Sequence, residues 1–586
     1  MLHKIFPDQD FDFQHPGEIL IAANDRHLVI AGRDRWNPDH LVVPIRLGRT
    51  LNGYQLEYGT HNAVYTFLQD HLEVRWLWPG ELGEDVRKRS TIAFAPFEYR
   101  YHPQVLSRDG MLPWASLNQG VRGPEDQVMG LTGAASHYWA RAQRLQLSEL
   151  ESSSTGHGPW GGWWKRFHKS HPEFFALQPD GTRGGGDIPF PSEGNIKMCF
   201  SNTDLWQQWL ADVETQLADN PNLRVFNVSP GDSFHSGHCI CESCRAWDHP
   251  EGEPRRLQWH GLNQAYVALS DRDVTFANQL ARLLKERFPD KELYVYMLAY
   301  GHSVPPPVAA VPDDNVIIGN VALFLFRSDH RNRHSLIGKT YKDYFQSWGK
   351  LTDLHFWRPN IGAPVGIQWG MPDVPLRRTM DDLRFAAEHG WMGIYIDYIR
   401  EFWATQGPLY YLMAHLTWNP RADGEAILKD YYHRAFGPAA REMAAYWNYM
   451  EDIREECYGT EQPGRADHDI LDFYNAERLG QAAGLLNAAK AAMGPDDELY
   501  RARIAFVEAG LEFTRLITEC GRLARLVNDN KDPDGTTRAT IHANWDKLRE
   551  LRDEHPGAMR WGLFFGHRRD DYPPQTPRYA PTLWVP

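Results

Sequence analysis

The sequence predicts an α/β protein built on a (β/α)8 barrel of the TIM type, with a small N-terminal α+β domain and a helical C-terminal domain. Three observations support this prediction. Short apolar runs alternate with amphipathic stretches over about 300 residues in the middle of the chain, as in a repeated βα unit. The residues after them show only helical periodicity. The glycine-rich phosphate loop typical of an open doubly wound sheet, the main alternative, is absent from the sequence.

The individual elements follow from the spacing of apolar residues. We place the three domains at residues 1–95, 96–420 and 421–586. In the first domain, strands at Ile19–Ala23 and His27–Gly32 precede a helix at His61–Gln69. The barrel strands are predicted at Glu98–Gln104, Ile196–Phe200, Arg224–Val228, Leu293–Leu298, Val316–Val321, Asp353–Trp357 and Met392–Ile396. Helices are predicted at Asp204–Leu217, Asp273–Phe288, Arg378–His389, Gly424–Phe436, Ala439–Tyr449, Ala476–Ala492 and Glu498–Asp529.

Composition excludes several classes of protein. Of 586 residues, 42% are hydrophobic and 24% are charged, which excludes a disordered chain. The net charge of −14 argues against nucleic acid as the main partner. No run of about 20 apolar residues predicts a membrane span. No basic region followed by an apolar stretch opens the chain, so we expect a cytoplasmic protein or a secreted one whose leader has been removed.

Aromatic residues are unusually frequent. The chain has 22 Trp, 25 Tyr and 27 Phe, which together make 13% of its residues. Flat aromatic faces stack on the C–H faces of sugar rings, although a large core also uses aromatics. A Gly- and Trp-rich segment contains Trp160 and Trp164, and two further Trp, Trp357 and Trp403, lie near strand ends. We predict that these four stack on sugars. The alternative for the segment is a loop held over the barrel mouth by its own aromatics.

Two groups of carboxylates follow predicted strands, where the chemistry of such a barrel lies. Asp232 follows the strand at Arg224–Val228, and Asp397 and Glu401 follow the last strand beside Arg400. Glycoside hydrolysis requires two carboxyl groups, one protonated and one ionised. The sequence therefore predicts Asp232 with Glu401 or Asp397 as the catalytic pair. The alternatives are an Asp232 that only stabilises its turn and an Arg400 ion pair that orders the second loop.

Further polar residues near strand ends are predicted to bind sugar hydroxyls. They are His157, Asn202, His235, Tyr300, His302, Arg358 and Arg400. Any one of them alone is more often a helix cap or a satisfied core group. The arginines of this region, Arg327, Arg358 and Arg400, could instead bind the carboxylate of a uronic acid.

Three of the six cysteines lie within six residues, namely Cys239, Cys241 and Cys244. Zn²⁺ accepts this Cys-x-x-Cys spacing, and a closed structural site here would rigidify the loop that contains Asp232. His235, His238 and Cys199 are the candidates for a fourth ligand. The competing predictions are a disulfide with one free thiol, and three reduced thiols. No cofactor is predicted for catalysis itself, because no motif of a catalytic zinc site accompanies the cysteines.

Several of these motifs resemble those of a known family. The segments Ser229–Asp232 with the three cysteines, Asp271–Tyr300, and Trp403–Tyr411 followed by Trp418–Pro420 resemble the domain of unknown function DUF4838. Tyr65–Leu68 and Trp78–Gly83 resemble the N-terminal domain of α-glucuronidases and hexosaminidases. The resemblance covers residues 15 to 450 in round numbers. The family includes glycoside hydrolase family 163, whose members act as endo-β-N-acetylglucosaminidases on N-glycans.

The resemblance implies a retaining glycoside hydrolase that cleaves β-linked N-acetylglucosamine in glycans, assisted by the acetamido group of the substrate. One carboxylate would orient that group, and a second would act as general acid and then as base. Related hexosaminidases have an adjacent Asp-Glu pair, whereas this chain has Gly231-Asp232-Ser233. We therefore expect Asp232 to orient the acetamido group and Glu401, or in second place Asp397, to act as acid and base.

Two alternatives to this function stay open. The first is a barrel glycosidase that acts on other oligosaccharides, either neutral or containing uronic acids. The second is a carbohydrate-binding protein without catalysis. In each case the expected partner is an oligosaccharide or glycan, and the sequence leaves the oligomeric state open.

Overall fold

The structure is a computed structural model of the chain. It describes residues 2–36, 55–110, 133–145, 157–183, 196–221, 223–232, 237–259, 262–325, 333–359, 370–396, 401–459, 473–529, 534–561 and 564. The strands are β1 (Ile19–Ala23), β2 (Leu28–Gly32), β3 (Asp34–Trp36), β4 (Gln55–Tyr58), β5 (Arg75–Trp76), β6 (Glu84–Asp85), β7 (Phe97–Tyr101), β8 (Ser107–Gly110), β9 (Val225–Asn227), β10 (Pro254–Trp259), β11 (Leu262–Val267), β12 (Tyr294–Ala299), β13 (Val316–Asn320), β14 (His355–Trp357) and β15 (Trp391–Tyr395). The helices are α1 (Leu2–Ile5), α2 (Gly59–Asp70), α3 (Gly133–Ala142), α4 (Trp160–Phe167), α5 (Thr203–Asp219), α6 (Glu242–Arg245), α7 (Ser270–Arg287), α8 (Arg333–Gly349), α9 (Leu376–Glu388), α10 (Trp403–Trp418), α11 (Gly424–Phe436), α12 (Ala440–Gly459), α13 (Ala476–Ala491), α14 (Glu498–Asn528) and α15 (Thr536–Glu554).

A central sheet of six parallel strands has the order β8-β15-β14-β13-β12-β9. From β9 at one edge, the strands follow one another along the sheet in chain order up to β15. The strand that comes first in the chain, β8, lies at the other edge and pairs with β15, so the first and last strands are neighbours. This pairing is typical of a βα barrel. Every residue of β13 and β14 is buried, as expected for parallel strands covered on both faces.

The described residues confirm the α/β class and the parallel sheet, but not a closed (β/α)8 barrel. The sheet has six strands rather than eight. The strand predicted at Ile196–Phe200 contributes only an isolated antiparallel bridge between Met198 and Phe175. The five strands predicted after it along the chain are confirmed as β9, β12, β13, β14 and β15.

The strand predicted at Glu98–Gln104 belongs to a different sheet. It corresponds to β7, which pairs antiparallel with β1 in a three-stranded sheet of order β2-β1-β7. The residues of β7 alternate in exposure, which is typical of an antiparallel strand with one solvated face. The first strand of the parallel sheet is β8, which begins six residues after the end of β7.

The C-terminal helices pack around one buried helix, α10. Every residue of α10 except His415 is buried, so this helix is apolar on all sides. The long helix α14 packs against it closely, because a Cβ at Gly510 would lie 2.7 Å from the carbonyl oxygen of Ala404. The helices predicted after residue 421 are confirmed, whereas α10 was not predicted. None of the helices among the described residues has the length and hydropathy needed to span a membrane.

Candidate functional site

A cavity of about 590 Å³ opens at the C-terminal ends of β9 and β12. This volume includes space that is open to solvent, and the position is the one where barrels place their chemistry. Its apolar wall is formed mainly by Met198, Phe200, Pro230, Leu269 and Leu298. Its polar and charged groups come from His157, Lys197, His238, Arg272, Asp273, Tyr300, His302 and Ser303.

The end of β9 fixes one side of the cavity. The Ser229 carbonyl oxygen accepts hydrogen bonds from Trp160 Nε1 at 2.7 Å and from the Gly158 amide at 3.1 Å. A Cβ at Gly158 would lie 2.2 Å from that oxygen, so only glycine permits this approach. The Ser229 hydroxyl in turn accepts from the Leu298 amide on β12. These bonds anchor the segment that contains His157 to the strand ends.

His157 and Asp232 form a pair at the edge of the cavity. His157 Nε2 lies 3.2 Å from Asp232 Oδ1, and His157 Nδ1 lies 3.1 Å from the Pro230 carbonyl oxygen. A carbonyl oxygen only accepts, so Nδ1 carries a hydrogen, and the Nε2 contact then requires a second proton. Burial lowers the pKa of His157, and the charge of Asp232 opposes that shift. The pair can therefore take up and release a proton at the contact between Nε2 and Oδ1.

Asp273 is a second carboxyl group, and it lies inside the cavity. It belongs to the first turn of α7, and its side chain forms a hydrogen bond with Ser303. Burial raises its pKa to about 7, against the opposing effects of Ser303 and of the Arg272 and Lys197 charges. A carboxyl group of this kind holds a proton in part at neutral pH, as a general acid must.

Asp273 was not among the predicted site residues, because it lies on a helix rather than after a strand. One signal was available. Asp273 lies in line with Ala277, Leu280 and Leu284, which are spaced along the buried face of α7. A charged residue in an apolar stripe is unusual, because burial of a charge is costly.

Lys197 interacts electrostatically with both carboxyl groups. Its ammonium donates to the carbonyl oxygens of Gly231 and Asp232, the latter at 3.2 Å. Burial lowers the pKa of Lys197 to about 8, and the charges of Asp273 and Asp232 oppose this shift. Both carboxyl groups are therefore near enough to act on the same ammonium.

Tyr300 and His302 follow β12 and line the cavity. The Tyr300 ring lies 5.6 Å from the His157 ring, measured between centroids. His302 Nδ1 bonds to the Tyr266 hydroxyl, and burial lowers the pKa of His302 to about 3, so the ring is neutral at physiological pH. The structure thus brings together four of the predicted site residues, His157, Asp232, Tyr300 and His302.

The predicted sugar-stacking role is wrong for three of the four Trp. Trp160 and Trp357 have no exposed surface, and each Nε1 donates to a backbone carbonyl. Trp357 also stacks on Phe324 with ring centroids 4.4 Å apart. Trp403 is 3% exposed and lies edge-on against Trp139. These three are core residues that no sugar can reach.

Two other predicted contacts lie outside the cavity lining. Trp164 is half-buried on α4 and stacks on His168, away from the residues that line the cavity. Asn202 caps α5, since its side-chain oxygen accepts from the Leu205 amide and its nitrogen donates to the Glu173 carbonyl. This cap corrects the expectation that Asn202 binds a sugar hydroxyl.

The remaining predicted residues belong to the far end of the sheet or lie outside the described residues. Glu401 is 7% exposed, its Oε2 lies 3.1 Å from Arg560, and it does not line the cavity. Arg358 is buried over the Tyr395 ring, 5.5 Å from its centroid, and its charge contributes to the lowered pKa of His157. The predicted residues outside the described ranges are His235, Arg327, Asp397 and Arg400.

The cysteine-rich segment contributes Cys239 to the lining of the cavity. Cys199 joins Cys239, Cys241 and Cys244, and all four sulfurs lie within 4.8 Å of one another. None of the six cysteines, all of which lie in the described residues, forms a disulfide, which corrects the alternative of a disulfide with one free thiol. The His238 ring packs against Tyr266 at 4.6 Å and is not part of this cluster.

Comparison with known proteins identifies a family, and it includes distant structural likenesses. A search of curated proteins finds no match. Among solved structures, one titled "Structure of CpGH84B" is similar at 9% identity and a TM-score of 0.37, over 95% of this chain and 86% of that chain. At this TM-score the likeness supports no conclusion. The family model described as "Domain of unknown function (DUF4838)" matches residues 148–449, just over half of the chain. The chain therefore belongs to the DUF4838 family, as its motifs predicted.

Proposed function

We propose that this protein is a glycoside hydrolase whose active site is the cavity at the ends of β9 and β12. The observation that supports this most directly is the pair of carboxyl groups beside Lys197. Asp273 is buried and 4% exposed, whereas the Asp232 side chain is 55% exposed at the cavity edge. Glycoside hydrolysis needs two carboxyl groups in different environments, so that one donates a proton while the other stays ionised.

Asp273 is the proposed general acid. Its carboxyl proton passes to the glycosidic oxygen as the bond from that oxygen to the anomeric carbon breaks. In the second step the Asp273 carboxylate takes a proton from water, and the water oxygen attacks the anomeric carbon as the bond from that carbon to the acetamido oxygen of the substrate breaks. A pKa of about 7 suits both steps, because the group must give up and regain a proton near neutral pH.

Asp232 is the proposed carboxylate that orients the acetamido group of a β-linked N-acetylglucosamine. It would accept a hydrogen bond from the acetamido N–H. The acetamido oxygen is then oriented to attack the anomeric carbon and to form an oxazolinium-like intermediate. The negative charge of Asp232 stabilises the positive charge of that intermediate. His157, in contact with Asp232 Oδ1, fixes the position of this carboxylate and can supply or take up a proton there.

Neutral donors in the cavity suit the recognition of sugar hydroxyls. Tyr300, His302 and Ser303 lie among the four residues that follow β12. Because the Trp of this region are buried, the Tyr300 ring is the proposed stacking surface for a sugar. The cavity also contains Lys197, whose ammonium is held by backbone carbonyls at Gly231 and Asp232.

Glu401, the acid predicted from the sequence, remains a prediction. Its carboxylate contacts Arg560, and it is not among the residues that line the cavity. One variant of Asp273 and one of Glu401, compared with each other, test which of the two is the acid. If catalysis depends on the cavity, Asp273→Asn removes turnover and Glu401→Gln does not. The reverse result would return the role of acid to Glu401.

Product analysis by mass spectrometry tests the proposed substrate class. The protein is incubated with a panel of N-glycans, chitooligosaccharides and acidic oligosaccharides, beside Asp273→Asn as the inactive control. Release of glycans that end in a single N-acetylglucosamine supports the proposal. Cleavage of uronic-acid or neutral substrates alone would keep the glycosidase and reject the acetamido mechanism. Binding without cleavage of any substrate would favour a carbohydrate-binding protein.

A further inference from the structure

We infer that Cys199, Cys239, Cys241 and Cys244 bind one Zn²⁺ ion in a closed structural site. The four residues come from two separate segments of the chain, and three of them are buried. The inference does not depend on the proposed function, because none of the four cysteines is among the groups proposed to act on the substrate.

The sulfur separations measured from Cys199 match those of a tetrahedral site. Cys199 Sγ lies 3.7 Å from Cys241 Sγ and 3.9 Å from Cys244 Sγ. Four sulfurs at about 2.3 Å from a zinc ion are separated from one another by about 3.8 Å in a regular tetrahedron. A disulfide would bring two sulfurs to about 2.05 Å, which none of these pairs approaches. The arrangement is therefore that of metal ligands rather than of a bonded pair.

Local backbone structure places the ligands. Cys241 caps the short helix α6, and its sulfur accepts from the Cys244 amide at 3.4 Å. Cys199 is held from the other segment by a hydrogen bond from its amide to the Phe174 carbonyl. A third bond, from the Ile240 amide to the Leu177 carbonyl, holds the other ligand segment against the same stretch that contains Phe174. The site is preorganised by bonds that do not involve a metal.

The groups around the sulfurs suit thiolates. The Leu177 amide donates to Cys239 Sγ at 3.3 Å, and the Ser201 hydroxyl lies 3.1 Å from Cys244 Sγ. Arg183 forms a side-chain hydrogen bond with Cys199. Four thiolates around Zn²⁺ have a net charge of −2, and donors of this kind stabilise such a charge and orient the ligands. A guanidinium stabilises thiolates far more than neutral thiols, so its position favours thiolates here.

A metal here would brace the cavity. Cys239 lines the cavity directly, and its carbonyl oxygen accepts from Arg272 at 2.8 Å. Arg272 also binds Asp248 through two nitrogens and is the neighbour of Asp273 in the chain. Cys199 is likewise only two residues from Lys197, which also lines the cavity. All four ligand positions are supplied by protein, so the ion has a structural role and does not contact substrate.

Metal analysis of the full chain tests the inference. Protein purified without added metal is expected to contain one zinc ion per chain by elemental mass spectrometry. Cys199→Ser and Cys241→Ser should each abolish this content. Cys457→Ser, a change of a half-buried cysteine on α12 outside the cluster, should leave it intact. Ser201→Ala should lower the zinc affinity by about 10-fold to 100-fold while the protein stays folded.

Two further readouts keep the test decisive if a cysteine variant fails to fold. A chelator should expose four thiols that a thiol reagent could not reach before. Cobalt added to the chelated protein should give the visible absorption of a tetrahedral site with a sulfur-to-metal charge-transfer band. Zinc near zero with four reactive thiols in freshly purified protein would overturn the inference, and so would iron at equal stoichiometry or an unchanged zinc content in Cys199→Ser.

Discussion

Polar residues have different surroundings toward the two edges of the parallel sheet. At the ends of β9 and β12, a cavity surrounds Asp273 with a hydroxyl donor and two neighbouring cations. At the ends of β14 and β15, Trp357 is packed in the core and Glu401 is paired with Arg560. Both carboxyl groups are largely buried, but only Asp273 lines a space that a ligand can enter. A carboxyl group near a strand end thus becomes a candidate for chemistry through its surroundings, not its position alone.

The largest effect should come from the packed end. Trp357→Ala would remove a side chain with no exposed surface that stacks on Phe324. Loss of buried contacts and the resulting cavity should lower the free energy of unfolding by about 3–5 kcal/mol. Denaturant unfolding measures this, with Tyr300→Phe as the control at the open end. Equal stability of the two variants would contradict the distinction between a packed and an open end.

A second effect concerns the pH dependence of stability. The pKa of Asp273 is raised from 3.8 to about 7, so between these values the folded protein keeps a proton that the unfolded chain releases. Its contribution to the free energy of unfolding therefore falls as the pH rises through this window, by up to about 4 kcal/mol. Relative to the parent, Asp273→Asn should gain stability by up to that amount between pH 4 and pH 7.

The control for this measurement is Asp382→Asn. Asp382 is as buried as Asp273, but its Oδ1 lies 2.8 Å from the Lys342 ammonium. Loss of that ion pair should destabilise the protein without a gain toward neutral pH. Parallel stability curves for Asp273→Asn and the parent would show that Asp273 does not titrate near 7.

A smaller effect is expected from the ion pair at the far end. The Glu401 carboxylate is largely buried, whereas Arg560 is partly exposed. Glu401→Gln should lower the free energy of unfolding by about 1–2 kcal/mol through loss of a charged hydrogen bond. Arg560→Met combined with Glu401→Gln forms a double-mutant cycle, and a coupling energy near zero would show that the two side chains do not interact in solution.

The smallest effect lies in the titration of His157. Burial lowers the pKa of His157, and Asp232 opposes the shift. In NMR the His157 resonance, identified by its loss in His157→Asn, should titrate with a midpoint below 6.5. Asp232→Asn should lower that midpoint further, because the opposing charge is gone. A midpoint that does not move would mean that the contact between the two side chains is not maintained in solution.

Much of the fold could be predicted because its signals are local. The apolar runs of β9 and β12 to β15 and the periodicity of the later helices identify these elements from their own residues. The exception is β7, whose alternating Phe97, Tyr99 and Tyr101 indicate an antiparallel strand and should have separated it from the parallel sheet. The strands β8 and β15 are far apart in the chain, so their pairing leaves no signal in the local sequence of either strand.

The site was predictable only in part, for the same reason. Asp232, Tyr300 and His302 follow strands and were therefore predicted as site residues. Asp273 was missed because its importance depends on the cavity, which distant segments form. The number of Trp could not reveal that Trp160 and Trp357 are buried, because composition does not report exposure. Cys199 lies 40 residues before Cys239 in the sequence, and only folding brings them together.

The most direct test of the central claim compares turnover in two variants on one substrate that the parent protein cleaves. Asp273→Asn should lower kcat by about 10²-fold to 10⁴-fold, since it removes the proposed general acid, while substrate binding is kept. Glu401→Gln should keep a kcat close to that of the parent. A normal kcat in Asp273→Asn together with lost turnover in Glu401→Gln would contradict the account and move the active site to the end of β15.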